Sequence, residues 1–168
     1  MLYPVDLGAP EEVGEAAGSG FNVNVPLPAG SGFGAYELAI ERVVVPALHA
    51  FRPDLIVIAC GFDAAYFDPL SHMLLLADHF RALTRTLRHA ADQLCDGRIV
   101  LNHEGGYSDF YVPLCGVAAI EELSGISSGV RDPYASYATV PNQRLMPHQA
   151  DVIDRAVDGP LAALLASS

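Results

Sequence analysis

The stretch LIVIACGFDAAYFDPL at residues 55–70 decides the fold of this 168-residue chain. It opens with six consecutive apolar residues, and such a run predicts a strand that is buried on both faces of a sheet. A glycine ends the run, and the carboxylate of Asp63 follows at the predicted strand end. The stretch RIVLNHEGGY at residues 98–107 repeats this arrangement, with a second apolar strand followed by the phenol of Tyr107. Each predicted strand therefore ends near a side chain that can take part in chemistry.

A helical pattern separates the two predicted strands. Apolar residues recur at helical spacing from Leu76 to Leu94, and charged residues occupy the opposite face. Strand, helix and strand in this order form a βαβ unit, in which the two strands are parallel. Parallel neighbours end at the same edge of a sheet, and open α/β sheets bind ligands outside the carboxyl ends of their strands. The sequence therefore predicts an α/β fold with Asp63 and Tyr107 at one edge.

The remaining patterns are weaker. Residues 21–25 predict one short strand, and residues 111–123 predict a helix that a Ser-Gly pair ends. A helix predicted over residues 35–51 contains Pro46, which indicates a kink, because proline lacks the N–H group that a helix interior needs. An amphipathic tail helix is predicted at residues 148–165, broken by a Gly-Pro pair.

Composition excludes several classes of function. Apolar residues make up 51% of the chain, enough for the core of one domain, and the net charge is −11. This net charge argues against nucleic-acid binding, for which a basic face is expected. We find no signal sequence and no apolar run of transmembrane length, so we expect a cytoplasmic protein without a membrane segment. The three cysteines lack metal-ligand spacing and are expected to be reduced and mostly buried.

Each of the two edge motifs has a structural interpretation beside its chemical one. Asp63 can bind a divalent metal, orient a base or cap a helix, and local hydrogen bonding at a turn is the commonest role of such a residue. Tyr107 follows Gly105 and Gly106, which allow a ligand to approach the backbone closely. Its hydroxyl can therefore donate a hydrogen bond to a developing oxyanion, or lie half-buried in an ordinary turn.

Other candidate residues are interpreted as structural. Asp68 precedes a proline and has the position of a turn residue. Cys60 at a strand end is compatible with a nucleophile, but no motif supplies a histidine partner, which favours a buried thiol. Four histidines in helical or loop contexts are expected to be solvated: His49, His72, His79 and His89.

The two motifs, in this order, resemble those of the zinc-dependent histone deacetylase and acetylpolyamine amidohydrolase superfamily, and the similarity extends over residues 3–125. It rests on GFD at residues 61–63 with DPL at residues 68–70, and on EGGY at residues 104–107. Three further segments agree: GFNVNVPLP at residues 20–28, GSG at residues 30–32 and RPDL at residues 52–55.

The resemblance implies the arginase/deacetylase fold, a three-layer α/β arrangement in which helices flank a mostly parallel sheet. Asp63 matches a zinc ligand of the family, and Tyr107 matches the tyrosine that hydrogen-bonds the scissile acetyl carbonyl. Zinc is thus the implied cofactor, and acetylated lysine or acetylated polyamine is the implied substrate. The residues implied to line the acyl channel are Leu70, Gly105, Gly106 and Tyr3.

The sequence departs from the family pattern at the metal site. The family takes two further zinc ligands from an Asp-x-His pair and its general base from a His-His pair, both on earlier segments. Neither pair occurs in this sequence. We therefore interpret residues 1–125 as the C-terminal portion of a deacetylase domain, and residues 126–168 as a C-terminal extension with a tail helix.

Three hypotheses follow. The first is a deacetylase-family amidohydrolase that is inactive as this chain alone and associates with an upstream-encoded segment. The second is a non-catalytic remnant or binding module, and the third is a hydrolase dependent on Cys60. Bound zinc favours the first, a stable metal-free fold the second, and an activity sensitive to thiol alkylation the third.

Overall fold

The computed structural model describes residues 7–167. Within them, two strands form, β1 (Ile56–Cys60) and β2 (Ile99–His103). The α-helices of this part of the chain are α1 (Phe33–Ala39), α2 (Val45–Phe51), α3 (Ala77–Leu94), α4 (Val112–Ser124), α5 (Pro147–Ala156) and α6 (Ala162–Ser167). Short 3-10 turns lie at Ala16–Gly18, Phe62–Ala64, Ala135–Thr139 and Pro141–Gln143. Of the helices in residues 7–167, none is both long and apolar enough to cross a membrane.

The two strands pair in parallel, from Ile56 opposite Ile99 to Cys60 opposite His103. Helix α3 connects them, so the chain forms the βαβ unit that its sequence predicts. The pattern of apolar strands around an amphipathic helix explains this arrangement, because each strand packs one row of side chains on the helix. The predicted α/β class, with a parallel sheet flanked by helices, is confirmed.

The inner face of the sheet carries the core, and the outer face is exposed. Ile56 and Ile58 of β1 pack with Ile99 of β2 against helix α3. Val57 and Val100 point to the other face, and 62% and 49% of their surfaces are exposed. The prediction of a strand buried on both faces is therefore wrong for this structure, because no element of residues 7–167 covers the outer face.

At Pro46 and at Pro160 the chain continues through a π-helical segment. Ile40–Val44 joins α1 to α2 just before Pro46, and Val157–Leu161, which contains Pro160, joins α5 to α6. Proline has no N–H group to close an α-helical turn, and a π turn lets the helix continue with a shifted hydrogen-bond register. The helix therefore continues through Pro46, where a kink is predicted, and through Pro160, where the prediction of a break is wrong.

Helix α3 begins at two side-chain hydrogen bonds. The Leu76 N–H donates to Nδ1 of His79 at 3.0 Å, and the Ala77 N–H donates to the Tyr111 hydroxyl at 3.2 Å. These bonds satisfy N–H groups that a helix start leaves without partners. His79 is only 8% exposed and its ring stacks on Phe33, so the prediction that it is solvated is wrong. Burial lowers the pKa of His79 to about 4, which keeps the ring neutral at pH 7.

The predicted strand at residues 21–25 does not form. The N–H groups of Phe21 and Asn22 donate to carbonyls of the preceding loop, so they are not available to a partner strand. Val23 and Val25 pack instead on the apolar cluster that α1, α2, α5 and α6 share. This loop therefore contributes to the core without joining the sheet.

The segment beyond helix α4 folds back onto the rest of the structure. The Gln143 side chain accepts a hydrogen bond from the Phe33 N–H at 2.9 Å and donates one to the Leu74 carbonyl at 2.7 Å. The Tyr111 hydroxyl donates to Asp132 at 2.6 Å. The predicted boundary after residue 125 therefore separates two sequence segments that are in contact in the structure.

Candidate functional site

The carboxyl ends of β1 and β2 bring the two main candidate residues to one edge of the sheet. β1 leads into the turn that carries Asp63, and β2 leads through two glycines to Tyr107. The segments stay joined beyond the strands, because the Glu104 N–H donates to the Cys60 carbonyl at 3.1 Å. The structure therefore places Asp63 and Tyr107 at the shared edge that the sequence predicts.

The Asp63 carboxylate packs against two glycines. A Cβ atom on Gly105 would stand 2.5 Å from Oδ2 and 2.9 Å from Cγ of Asp63, and one on Gly61 would overlap Oδ1. Glycine at both positions leaves the space that the carboxylate occupies. Within residues 7–167, no ion pair and no side-chain hydrogen bond engages this carboxylate. Among the described residues the Asp63 carboxylate therefore has no hydrogen-bond or ion-pair partner, and it lies at the sheet edge where open α/β sheets generally bind ligands.

The charge of Asp63 acts on two neighbouring acidic groups. Burial, with a further contribution from Asp63, raises the pKa of the Cys60 thiol to about 11. The same two causes raise the pKa of Tyr36, on helix α1, to about 12. A thiol with so high a pKa is protonated at neutral pH, whereas the thiolate is the nucleophilic form. The environment of Cys60 thus favours a structural thiol over a catalytic one.

The Gly105-Gly106 pair shapes the approach to Tyr107. Gly106 has a φ of +138°, a conformation that favours glycine, and a Cβ there would stand 2.9 Å from Cγ2 of Val112 and 3.0 Å from Cβ of Phe62. The Tyr107 side chain that follows is 53% exposed. The glycine pair therefore brings the chain close over Phe62 and leaves the phenol of Tyr107 accessible.

Asp68 connects the two motifs. Its Oδ1 accepts hydrogen bonds from the Leu70 N–H at 2.9 Å and the Ser71 N–H at 3.0 Å, which confirms its predicted place in a turn. Its Oδ2 accepts a third bond, from the Tyr107 N–H at 2.8 Å. No sequence pattern indicated this third bond, because it joins residues that are distant along the chain.

Two residues that the resemblance assigns to the acyl channel, Leu70 and Tyr3, remain to be placed. Leu70 lies in the loop held by Asp68, and 62% of its surface is exposed, so it is accessible from the solvent. Tyr3, the predicted aromatic wall of the channel, lies outside the described residues. The Asp68 carboxylate thus links the Leu70 backbone to that of Tyr107, and Gly105 and Gly106 directly precede Tyr107 in sequence.

The described residues do not form a zinc site by themselves. A catalytic zinc takes three protein ligands and keeps one position open. Within residues 7–167, no group of three or more His, Cys, Asp or Glu side chains is placed to hold a metal ion. The ring of His103, at the end of β2, packs on Phe62 with centroids 5.1 Å apart. Asp63 therefore fits one ligand of a metal site that further residues would have to complete.

Comparison with known sequences identifies the family. The family described as "Histone deacetylase domain" matches residues 1–123. The histone deacetylase-like amidohydrolase of Pseudomonas aeruginosa is 53% identical over 135 residues, which are 80% of this chain and 36% of that protein. The probable deacetylase of Archaeoglobus fulgidus is 36% identical over 134 residues, which are 79% of this chain and 37% of that protein.

Solved structures agree with the sequence matches. The histone deacetylase Clr3 superposes with a TM-score of 0.77 and 31% identity, covering 92% of this chain and 24% of that one. The HDA15 HD domain superposes with a TM-score of 0.72 and 30% identity, covering 99% of this chain and 42% of that one. The chain spans 36% and 37% of the length of the two curated relatives described above. Because the family match covers most of the sequence and the fold agrees, this chain belongs to the histone deacetylase family.

Proposed function

We propose that this chain carries part of a zinc-dependent amidohydrolase site that removes acetyl groups from acetylated lysine or acetylated polyamine. Asp63 is one of its metal ligands, and Tyr107 is the catalytic residue whose hydroxyl donates to the scissile carbonyl. Leu70, Gly105 and Gly106 line the path of the acyl chain. The support comes from family membership and from the common edge at which these residues lie.

The observation that carries the proposal is the tight joining of the two segments beyond the sheet. The Phe62 N–H donates to the Gly105 carbonyl at 2.7 Å, and the Asp63 carboxylate packs on the same glycine. Asp63 and the segment that leads to Tyr107 are therefore held in one arrangement. A site that must hold a metal ligand and a hydrogen-bond donor in fixed positions around one substrate needs such rigid support.

The chemistry proposed for Tyr107 follows from its type and exposure. When an amide carbonyl is attacked, negative charge develops on its oxygen, and a phenol O–H aimed at that oxygen stabilises the charge. The side chain of Tyr107 is half-exposed, so its hydroxyl is able to meet a substrate. Gly105 and Gly106 have no side chains that would obstruct the acyl group.

The proposal assigns the remaining metal ligands and the general base to a polypeptide segment that associates with this chain. A chimera tests this directly: the chain replaces the matching 135-residue stretch of the Pseudomonas aeruginosa relative. We expect the isolated chain to leave acetyl-lysine peptides and acetylpolyamines intact, with or without added zinc. We expect the chimera to hydrolyse at least one of them, with an activity that a chelator removes and zinc restores.

Two substitutions in the chimera separate the assigned roles. Asp63→Asn should abolish zinc-dependent turnover and lower zinc content. Tyr107→Phe should keep the zinc content and slow turnover roughly 10²–10³-fold, the usual effect of losing one oxyanion donor. Asp109→Asn, at an exposed position two residues from Tyr107, is the matched control and should change neither quantity. A folded chimera that neither binds zinc nor turns over substrate would favour a binding module instead.

A further inference from the structure

We infer that Asp68 is a positioning residue of the proposed site: its carboxylate fixes Tyr107 relative to the loop that carries Leu70. The inference rests on the proposed function, because it concerns the placement of the residue proposed as catalytic. It goes beyond the role of a turn residue, which the sequence alone indicates for Asp68.

The two oxygens of Asp68 have different tasks. Oδ1 accepts from the Leu70 and Ser71 N–H groups, two and three residues ahead, which is the local bonding of an ordinary turn. Oδ2 is not needed for that turn. It accepts from the Tyr107 N–H at 2.8 Å, across 39 residues of sequence. A purely local role for Asp68 therefore leaves its second oxygen unexplained.

The bond to Tyr107 restrains the backbone between the glycine pair and helix α4. Tyr107 follows Gly106, whose φ of +138° would be strained for any other residue. It precedes Ser108, whose carbonyl accepts a hydrogen bond from the N–H of Val112, the first residue of helix α4. The backbone between a glycine pair and a helix start has few restraints of its own. The Asp68 carboxylate supplies one at the residue whose side chain has to meet the substrate.

Burial makes this restraint strong. Asp68 is 8% exposed, so its bonds to the three N–H groups are largely shielded from water. Hydrogen bonds to a carboxylate are about twice as strong as those between neutral groups, and low exposure strengthens them further. One buried carboxylate thus holds the Leu70 loop and the Tyr107 backbone together as a unit.

Asp68→Asn separates the two tasks. An amide presents one acceptor oxygen, so an asparagine can keep the turn through Oδ1, and its NH2 group then faces the Tyr107 N–H donor. In the isolated chain, amide exchange by NMR should show the Tyr107 N–H losing protection at least tenfold while the Leu70 and Ser71 N–H groups keep theirs. Asp109→Asn is the control and should leave all three unchanged. An unchanged Tyr107 N–H would overturn the inference.

A double-mutant cycle in the chimera tests whether Asp68 acts through Tyr107. We expect Asp68→Asn to lower kcat about tenfold to a hundredfold with unchanged zinc content, the range expected for a misplaced catalytic group. In a Tyr107→Phe background the same substitution should lower kcat by less than about twofold, because the hydroxyl it positions is already gone. Equal factors in both backgrounds would mean a general structural role and would overturn the inference.

These outcomes also distinguish the inference from the function on which it rests. If Tyr107→Phe does not slow an active chimera, the proposed role of Tyr107 fails, and positioning of that residue by Asp68 fails with it. If Tyr107→Phe slows turnover but the cycle is additive, only the role of Asp68 is overturned.

Discussion

The carboxylate of Asp63 packs against the side of Gly105 where any other residue would carry its side chain. The 2.5 Å between Oδ2 and a Cβ at that position is a separation that real Cβ atoms do not show. Gly105 also joins the two strand ends, since its carbonyl accepts from the Phe62 N–H. The glycine that couples the strands is therefore the one that makes room for the proposed metal ligand.

Gly105→Ala should displace the Asp63 carboxylate while leaving the fold in place, because the end of a side chain is easier to move than backbone. In the chimera we expect zinc affinity to fall at least about tenfold, the effect of disturbing a group that supports a metal ligand. Competition with a chelator measures it. Gly116→Ala is the control, since its Cβ would meet the Phe62 ring at an ordinary 3.8 Å. Equal zinc affinity in the Gly105→Ala chimera and the unsubstituted chimera would show that the contact between Gly105 and Asp63 does not matter for metal binding.

Gly106→Ala should destabilise the isolated chain by at least about 2 kcal/mol, which combines a strained φ of +138° with contacts to Val112 and Phe62 that are too short. Urea unfolding followed by circular dichroism gives the value. Gly129→Ala serves as comparison, because its φ is +78° and no atom lies within 4 Å of the added methyl. Gly129→Ala should lower the free energy of unfolding by about 1 kcal/mol, the cost of a left-handed backbone conformation alone. Equal losses would show that the packing around Gly106 has no effect.

Acid should destabilise the chain between pH 6.5 and about 4 through His79. The folded-state pKa is lowered from 6.5 to about 4, so in this window the unfolded chain binds a proton that the folded chain does not. The contribution of His79 to the free energy of unfolding is therefore complete above pH 6.5. It is lost as the pH falls towards 4, at up to about 1.4 kcal/mol per pH unit.

His79→Asn is the matched variant for this pH dependence, because its side-chain oxygen can accept from the Leu76 N–H in place of Nδ1 but does not titrate. Urea midpoints measured at several pH values should fall less steeply for the variant between pH 6.5 and 4. Parallel pH profiles for the two proteins would exclude His79 as the source.

Cys60 should react slowly with iodoacetamide in the folded chain. A pKa of about 11 in place of 9.0 lowers the thiolate fraction at pH 7 about a hundredfold, and thiolate is the reacting form. Mass spectrometry of native and urea-unfolded samples gives the rates, and Cys95 and Cys115, both buried, should also become reactive only after unfolding. Fast, selective alkylation of Cys60 at neutral pH would revive the hypothesis of a thiol-dependent hydrolase.

Local pattern predicted much of the fold and the outline of the candidate site. The apolar runs that end at Cys60 and at Leu101, with an amphipathic helix between them, define parallel strands, and parallel strands place Asp63 and Tyr107 at one edge. These features depend on residues that are close in sequence or on the rules of βαβ connection. Hydrophobic periodicity therefore suffices to find them.

Features that depend on distant partners were not predictable in this way. His79 is polar and lies on a helix, and its burial results from stacking on Phe33, which a helical pattern does not show. The use of both Asp68 oxygens depends on the Tyr107 N–H, which only the folded chain brings near. Tyr36, whose pKa responds to Asp63, carried no motif at all.

The outer face of the sheet, which no element of residues 7–167 covers, should affect the chain as soon as it is synthesised. Val57 and Val100 present an apolar surface with strand edges beside it, the kind of surface through which unfinished proteins aggregate. A polypeptide segment of the kind that the proposed function requires would, on covering this face, compete with further copies of the chain. The net charge of −11 slows encounters between identical chains, and it slows a neutral or basic partner much less. The supply of that covering polypeptide during synthesis would then decide how much of the chain reaches its assembled form.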